Sequence, residues 1–331
     1  MIKADKYLKE TIQEILESGN KDVSPRPRWQ DGTPAHTKFV TQKVFEYDIS
    51  KGEYPITTLR TTALKGAFYD IEAIYIKQTN ILEEMHPSIK NWWQDFIVKF
   101  NPEKEMDVIE YNISGKKPKN NIGYTYGHTI LRYDLMNKLL KGLEGNPFGR
   151  RHIISMWQEQ QMIDDSKALT PCAYETLWSV REEDYRTYNE NGTESYTMNI
   201  IDFSNNLKTE TLKKRYLGIT LMQRSQDFVV TSSINPAQYC MLAMMVANHL
   251  TFKTGVKHEV GKMLHIVQNC HIYDRHENAA KEILNRESTG LQPKIELICE
   301  PKDFYSHTVE DFRFTNLEGI KPLSEKLEIA V

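Results

Sequence analysis

Apolar positions recur along the chain with two periods, and the switch between them predicts the elements. Over residues 5–18 and 63–82 they return every three to four positions, the spacing of a helix with one buried face. The same period appears near 132–144, where Leu131, Leu135, Leu139, Leu140 and Leu143 line up before Gly145-Asn146-Pro147 stops the run. Shorter apolar runs read as strands. "HIISMW" (152–157) predicts one buried strand, and "YETLWSV" (174–180) and "YLGITLMQRSQDFVV" (216–230) predict two long strands of one sheet. Between these two lies a polar, turn-rich stretch, about 182–215, longer than most hairpin loops, which predicts an extended surface hairpin or flap. Asn235, placed as a cap ahead of Pro236, opens "AQYCMLAMMVANHLTFKTG", a helix apolar on nearly all sides and therefore deeply buried. Strand "MLHIVQNCHIY" (263–273) and helix "HENAAKEIL" (276–284) follow. No repeat or low-complexity linker divides the chain. The expectation is one α+β domain over 1–331, with a mostly antiparallel or mixed sheet flanked by helices.

Composition removes several classes of function. The chain has 331 residues, a formal net charge of -3 and 26% charged residues, an ordinary balance for a globular protein. A DNA or RNA partner is not expected, because there is neither a basic excess nor a long basic run. No apolar stretch is long enough for a membrane span. The N-terminal "MIKADKYLKETIQEIL" is amphipathic and lacks the apolar core and cleavage site of a signal peptide. Four cysteines, Cys172, Cys240, Cys270 and Cys299, stand far apart without a CxxC pair, so neither a zinc site nor a disulfide framework is expected. A reducing cytoplasm and no metal are the simplest expectations.

Cys172, in "LTPCAYETLW" (169–178), is the first candidate for chemistry. A lone cysteine is ordinarily a small core hydrophobe, and reactivity needs a lowered pKa. Its company changes the balance. Arg224, flanked by Gln223, Ser225 and Asp227, interrupts an apolar strand, and a buried arginine requires a charged partner. Near a thiol, a guanidinium favours the thiolate, and its fork also fits a phosphate; an edge strand with its polar side in water accounts for the same pattern equally well. Arg150-Arg151 after "NPFG" reads as a solvated turn or as part of a phosphate cradle. His271 and Tyr273, two apart on a strand, share one face.

The order and spacing of these features carry more than each alone. "PCAYE" (171–175), "QRSQD" (223–227), an asparagine eleven residues after the arginine, and "HIYDRH" (271–276) occur in the sequence of the thymidylate synthase family. The resemblance covers nearly the whole chain. "RPRWQDGTPAHT" (26–37) resembles the family's phosphate-binding arginine loop and "YPITTLR" (54–60) the segment after it. "NIGYTYGH" (121–128) is similar to its active-site tyrosine turn and "NPFGRRH" (146–152) to the arginine pair that reaches a neighbouring subunit. The final "LEIAV" (327–331) is similar to the tail that closes over folate. The likeness is to the divergent branch of some Gram-positive bacteria and their phages.

The resemblance implies a thymidylate synthase-like homodimer packed through its sheets, converting dUMP to dTMP with 5,10-methylenetetrahydrofolate. Cys172 would be the nucleophile that adds to C6 of dUMP. Arg26, Arg224 and Ser225 would hold the phosphate, with Arg150 and Arg151 donated by the other subunit and Gln223 among the dUMP contacts. Asn235 would read the uracil amide edge, and His271 and Tyr273 the deoxyribose hydroxyl. Tyr126 and Asp227 would serve proton transfer and folate orientation. Trp93 would lie by the folate, and Val331 would seal the site. The family's catalytic glutamate, counted back from "IYIKQTN" (74–80), falls on Asp70 without gaps or on Glu72 with a two-residue shift, and Glu72 is preferred.

Three departures from the family's pattern lie near the site. Ala173 follows the cysteine where many relatives have histidine, "TSSINP" (231–236) replaces a glycine-proline-phenylalanine-asparagine turn, and "VQNCH" (267–271) replaces a glycine-aspartate pair. They leave two alternatives: a 5-hydroxymethylase acting on dUMP, and a non-catalytic nucleotide- or RNA-binding relative.

Overall fold

A computed structural model of the chain describes residues 1–98, 120–159, 169–184, 187–188, 194–195, 197–201, 207–211 and 213–330. Its centre is a seven-stranded mixed sheet. The strands are β1 (Asn20–Lys21), β2 (Thr37–Asp48), β3 (Ile153–Ser155), β4 (Ala173–Asp184), β5 (Lys213–Gln223), β6 (Gln226–Asp227) and β7 (Lys257–Tyr273). In space they run β1-β2-β7-β5-β4-β3, with β6 paired to β7 beyond the end of β5. Four pairings are antiparallel, whereas β5 and β6 lie parallel to β7. A parallel pair needs a long crossover. Here the crossover carries the apolar helix α5 (Ile234–Thr254), which is buried along most of its length on one face of the sheet.

Register explains which face the helices cover. Ile154, Thr176, Trp178, Ile219, Leu221, Met263, Val267 and Phe45 point to the helical side and are buried. On the other face, cross-strand partners bring Ile153 beside Leu177, Leu177 beside Thr220 and Thr220 beside Leu264. The adjacent row joins Val44, Ile266 and Met222. This second face stays open in the single chain: Val44, Ile153 and Leu177 are 52%, 45% and 38% exposed.

Helix α1 (Lys3–Ser18) buries Ala4, Leu8, Ile12 and Ile15 at helical spacing, as the pattern predicts. It also buries a charge. The Asp5 carboxylate accepts bonds from the hydroxyls of Thr57, Thr58 and Ser288, each at 2.6 Å, and from the Thr58 N–H at 2.7 Å. A buried carboxylate is tolerated when its lone pairs are filled in this way. Thr57 in turn donates its N–H to Ser233 at 3.2 Å, which ties the 57–60 segment to the start of α5.

Four element boundaries differ from the sequence reading. The helix expected over 63–82 is α2 (Leu64–Ile71) followed by a π turn (Glu72–Ile76), closed by the Lys77 N–H on the Glu72 carbonyl, with Gln78 at φ 53°. The helix near 132–144 is two helices, α3 (Gly127–Arg132) and α4 (Leu135–Gly145), broken where Asp134 takes φ 51°. The strand expected over 216–230 ends at Gln223; the chain turns at Arg224-Ser225, resumes as β6, and coils into a helical turn at Phe228–Thr231. Finally, Asn235 does not cap α5. Ser233 holds that position, and Asn235 and Pro236 sit inside the first turn, where a missing N–H costs no helical bond. Within 182–215, Thr187–Tyr188 pairs with Glu194–Ser195 and Thr197–Ile201 with Leu207–Thr211. β4 runs on to Asp184 and β5 begins at Lys213, and the remaining residues of that expected flap lie outside the described residues. Helix α6 (Glu277–Asn285) matches the sequence reading.

Candidate active site

The ends of β4, β5 and β7, the first turns of α3 and α5, and helix α2 converge on Cys172. Several bonds hold its backbone. The Cys172 N–H donates to Tyr126 Oη at 2.9 Å, and its carbonyl accepts the Arg224 N–H at 2.9 Å. The Arg224 guanidinium donates to the carbonyls of Thr170 (2.7 Å) and Pro171 (3.1 Å), which leaves Nη2 3.6 Å from the Cys172 sulfur. The turn that interrupted the expected strand is therefore what aims Arg224 at the thiol. Burial pushes the Cys172 thiol up, and the positive charges of Arg224 and Arg26 oppose that shift.

Tyr126 is held as firmly. It takes φ 47°, ψ -113°, a backbone state costly for any residue with a side chain, at the start of α3. The next position must be glycine: a Cβ on Gly127 would sit 2.3 Å from the Thr79 carbonyl oxygen. The Tyr126 ring meets Trp93 edge-on at 5.4 Å.

Behind the thiol runs a chain of hydrogen bonds with a single direction. Gln223 Nε2 donates to the Ser225 carbonyl (2.9 Å) and to Asn235 Oδ1 (3.1 Å). Its Oε1 therefore faces His265 Nε2 at 2.8 Å, and that nitrogen carries the proton. Burial depresses His265 to about 3, so it is neutral. Asn235 Nδ2 donates to Gln238 Oε1 (3.0 Å), and Gln238 Nε2 donates to Asp70 Oδ2 (2.6 Å). Trp93 Nε1 fills the other oxygen of Asp70 at 2.7 Å. Burial raises the Asp70 carboxyl to about 7, against the pull of the Trp93 and Gln238 bonds. One lone pair and one N–H of the Asn235 amide remain for a ligand.

Of the two carboxylates the sequence offered, the structure brings only Asp70 into this chain. The π turn carries Glu72 to the outside of α2, where it pairs with Lys77 at 2.8 Å. Two residues' shift along a helix is about 200° of rotation, enough to place the two carboxylates on different faces.

The third wall is the end of β7. Pairing of β6 sets Asp227 opposite His271. His271 Nδ1 lies 3.1 Å from Asn269 Oδ1, and burial lowers its pKa. Tyr273 meets His271 at 5.0 Å and Trp29 at 5.4 Å, both edge-on. Arg26 is exposed on the adjoining loop and close enough to act electrostatically on Cys172 and Tyr273. Arg150 and its neighbour Arg151 lie elsewhere. Arg150 lines a hollow of about 350 Å³ on the open face of the sheet with Phe148, Leu177 and Thr220. Val331 lies outside the described residues.

The family model described as thymidylate synthase matches residues 5–329. The chain is a member of the thymidylate synthase family. It is 34% identical over 335 residues to the thymidylate synthase of Streptococcus thermophilus strain LMD-9, and 35% identical over 333 residues to that of Streptococcus pneumoniae strain 70585, with the full length of each chain covered. Among solved structures, the thermostable thymidylate synthase A from Bacillus subtilis superposes with a TM-score of 0.69 at 26% identity, covering 99% of both chains. The family is one of methyltransferases, and the fold carries its mixed sheet flanked by helices.

Within this thymidylate synthase frame, several site residues escaped the sequence reading. Gln238 and His265 complete the polar chain, and Trp29 and His276 wall the end of β7. Gln238 left one trace: an amide in an apolar helix, three residues after Asn235 and so on the same face. All four cysteines are free.

Proposed function

We propose that the protein reductively methylates dUMP at C5 to give dTMP, with 5,10-methylenetetrahydrofolate as one-carbon and hydride donor. The observation that carries the reading is the placement of Cys172 between Arg224 and the Asn235–Gln238–Asp70 chain. A nucleophile, its cationic neighbour, a base-reading amide and a carboxyl poised near neutrality converge there.

In this reading the Cys172 thiolate forms a bond to C6, and the C5=C6 electron pair moves toward C5 and O4. Arg224 stabilises the thiolate and, with Arg26 and Ser225, the phosphate. The free N–H and lone pair of the Asn235 amide meet O4 and N3–H of uracil. Asp70 exchanges protons at the O4 side, at a pKa suited to neutral pH. C5, carrying the new one-carbon group, then loses its proton. The bond from the one-carbon group to the folate nitrogen breaks as that proton leaves, giving an exocyclic methylene with tetrahydrofolate as leaving group. Hydride from this tetrahydrofolate then adds to the methylene as the sulfur–C6 bond breaks, which returns the Cys172 thiolate and leaves dTMP and dihydrofolate. His271 and Tyr273 would take the sugar hydroxyl, and Asp227, Trp93 and Val331 the folate. Mass spectrometry of the product made from dUMP and methylenetetrahydrofolate tests the whole: dTMP is expected, and 5-hydroxymethyl-dUMP would replace this reading with the hydroxymethylase alternative.

The open, apolar face of the sheet supports a homodimer packed through it. In that arrangement Arg150 and Arg151, remote from Cys172 in their own chain, would serve the partner's phosphate. Mixing Cys172→Ala subunits with Arg151→Ala subunits is expected to restore one intact site per heterodimer. Subunit exchange without recovered activity would refute the shared site.

Base choice should follow Asn235. Cytosine presents an amino group and a bare N3 to an amide whose orientation Gln223 and Gln238 both hold. A mismatched buried polar pair costs about 1–3 kcal/mol, so dUMP is expected to be preferred to dCMP by at least about tenfold. Asn235→Asp should shift the kcat/KM ratio toward dCMP. An unchanged ratio would reduce Asn235 to a structural amide.

A further inference from the structure

The chain's last described residues cross the end of β7, and one of them takes most of the contacts. The Glu328 carboxylate accepts the Gln30 N–H at 3.1 Å and Arg275 Nη1 at 2.8 Å. Arg275 also holds Asp31 at 2.6 Å and lies 4.8 Å over the Trp29 ring. Two residues further on, Ala330 packs against the Trp29, Ala35 and Tyr273 cluster. These grips are partly exposed. The buried one is His276, 1% exposed, whose Nε2 lies 2.9 Å from the Glu328 carbonyl oxygen and whose Nδ1 lies 3.4 Å from Asp227 Oδ2.

The two contacts of this ring make unequal demands. A carbonyl oxygen only accepts, so Nε2 must carry a proton while the tail is docked. In the neutral ring, Nδ1 would then turn a lone pair toward a carboxylate oxygen. In the imidazolium the same nitrogen turns a proton and a positive charge toward it, an ion pair at 3.4 Å, although Nδ1 makes no hydrogen bond in this structure. The surroundings favour the charge. Glu325 and Glu328 come from the tail, Asp227 from β6, and the Trp29 and Tyr273 rings flank the imidazole edge-on at 5.6 and 5.8 Å. Arg275 is engaged by Asp31 and Glu328, His271 lies on β7, and Arg60 faces Asp227 from the 57–60 segment. Burial works against the charge, but Asp227 and the Glu328 carbonyl outweigh it and hold His276 above the ordinary histidine value.

We propose that His276 is a positioning residue that fastens the C-terminal segment to Asp227 while its ring is protonated, and lets it go when the ring is neutral. The clamp rests on the geometry alone; only its consequence for the folate rests on the function proposed above. A group whose pKa is raised in the docked state strengthens docking below that pKa, and the contribution is lost as pH rises through it. The segment 325–330 should therefore loosen as pH rises above the ordinary histidine value.

Hydrogen exchange of 325–330, divided at each pH by the rate of an unstructured peptide, reads the clamp without turnover. Protection in the parent is expected to fall several-fold as pH rises through and beyond the ordinary histidine value of about 6.5. His276→Gln keeps an N–H for the Glu328 carbonyl but cannot titrate, so its protection should be flat over that range. In parallel, the KM for methylenetetrahydrofolate should rise with pH in the parent more than the KM for dUMP, and not in the variant. Equal exchange slopes in parent and variant would overturn the proposal. So would a ¹⁵N titration of the unaltered protein in which the His276 ring loses its second proton at or below the ordinary histidine value, a measurement that does not depend on the variant folding. Loss of the KM effect with the exchange slope intact would spare the clamp and count against Asp227's proposed place at the folate.

Discussion

Cys172→Ser is expected to abolish dTMP formation while dUMP still binds. Serine preserves the size of the side chain and the two backbone bonds to Tyr126 and Arg224, because both are made by the Cys172 main chain. What it removes is a sulfur whose negative charge Arg224 can stabilise from 3.6 Å. A hydroxyl is far harder to ionise than a thiol, and the resulting loss should reach several orders of magnitude in kcat. The phosphate and base contacts lie on other residues, so dUMP affinity by calorimetry should stay within about tenfold of the parent. Turnover within about tenfold of the parent would remove Cys172 as the nucleophile.

The second large effect separates the two carboxylates. Asp70→Asn is expected to lower kcat by about 10²–10⁴, the usual worth of a positioned acid or base. It should also erase a limb of the pH–rate profile near neutrality, since burial places the Asp70 carboxyl at about 7. Glu72→Gln should change kcat by only a few-fold, because Glu72 pairs with the partly exposed Lys77 and not with the Asn235–Gln238 chain, and such ion pairs near the surface contribute about 0–1 kcal/mol. The reverse pattern, with Glu72→Gln inactive and Asp70→Asn active, would return the role to Glu72. A limb near pH 7 that survives in Asp70→Asn would assign that titration to another group.

Much of this protein was legible in one dimension. Burial follows periodicity, so α1, α6, the crossover helix and the strands around Trp178 and Leu221 could be read from spacing alone. The resemblance to the thymidylate synthase family, carried by the order of "PCAYE", "QRSQD", Asn235 and "HIYDRH", grouped Cys172, Arg224, Asn235, His271 and Tyr273 before any coordinates. Sequence also set the limits of that reading. The period of "MQRSQDFVV" continues through Arg224, yet the chain turns there, because the guanidinium finds the Thr170 and Pro171 carbonyls only across the sheet. Those partners lie more than fifty positions away, beyond any local pattern.

Tertiary structure alone decided three matters. Which of Asp70 and Glu72 joins the Asn235–Gln238 chain turned on which side of α2 meets α5, and a periodic pattern cannot register a carboxylate whose partners, Gln238 and Trp93, come from other elements. The direction of the Asn235 amide depends on its neighbours: Gln223 is committed to a carbonyl at one end and Asp70 only accepts at the other. The meeting of Asp227, His276 and Glu328 joins residues a hundred positions apart, through contacts of 3.4 and 2.9 Å that exist only once the tail has crossed β7. Sequence determined which residues could do the chemistry, because side-chain type and hydrophobic period are local. Long-range packing determined which of them do it together, because the environment that orients an amide, raises a carboxyl or charges an imidazole is assembled from distant parts of the chain.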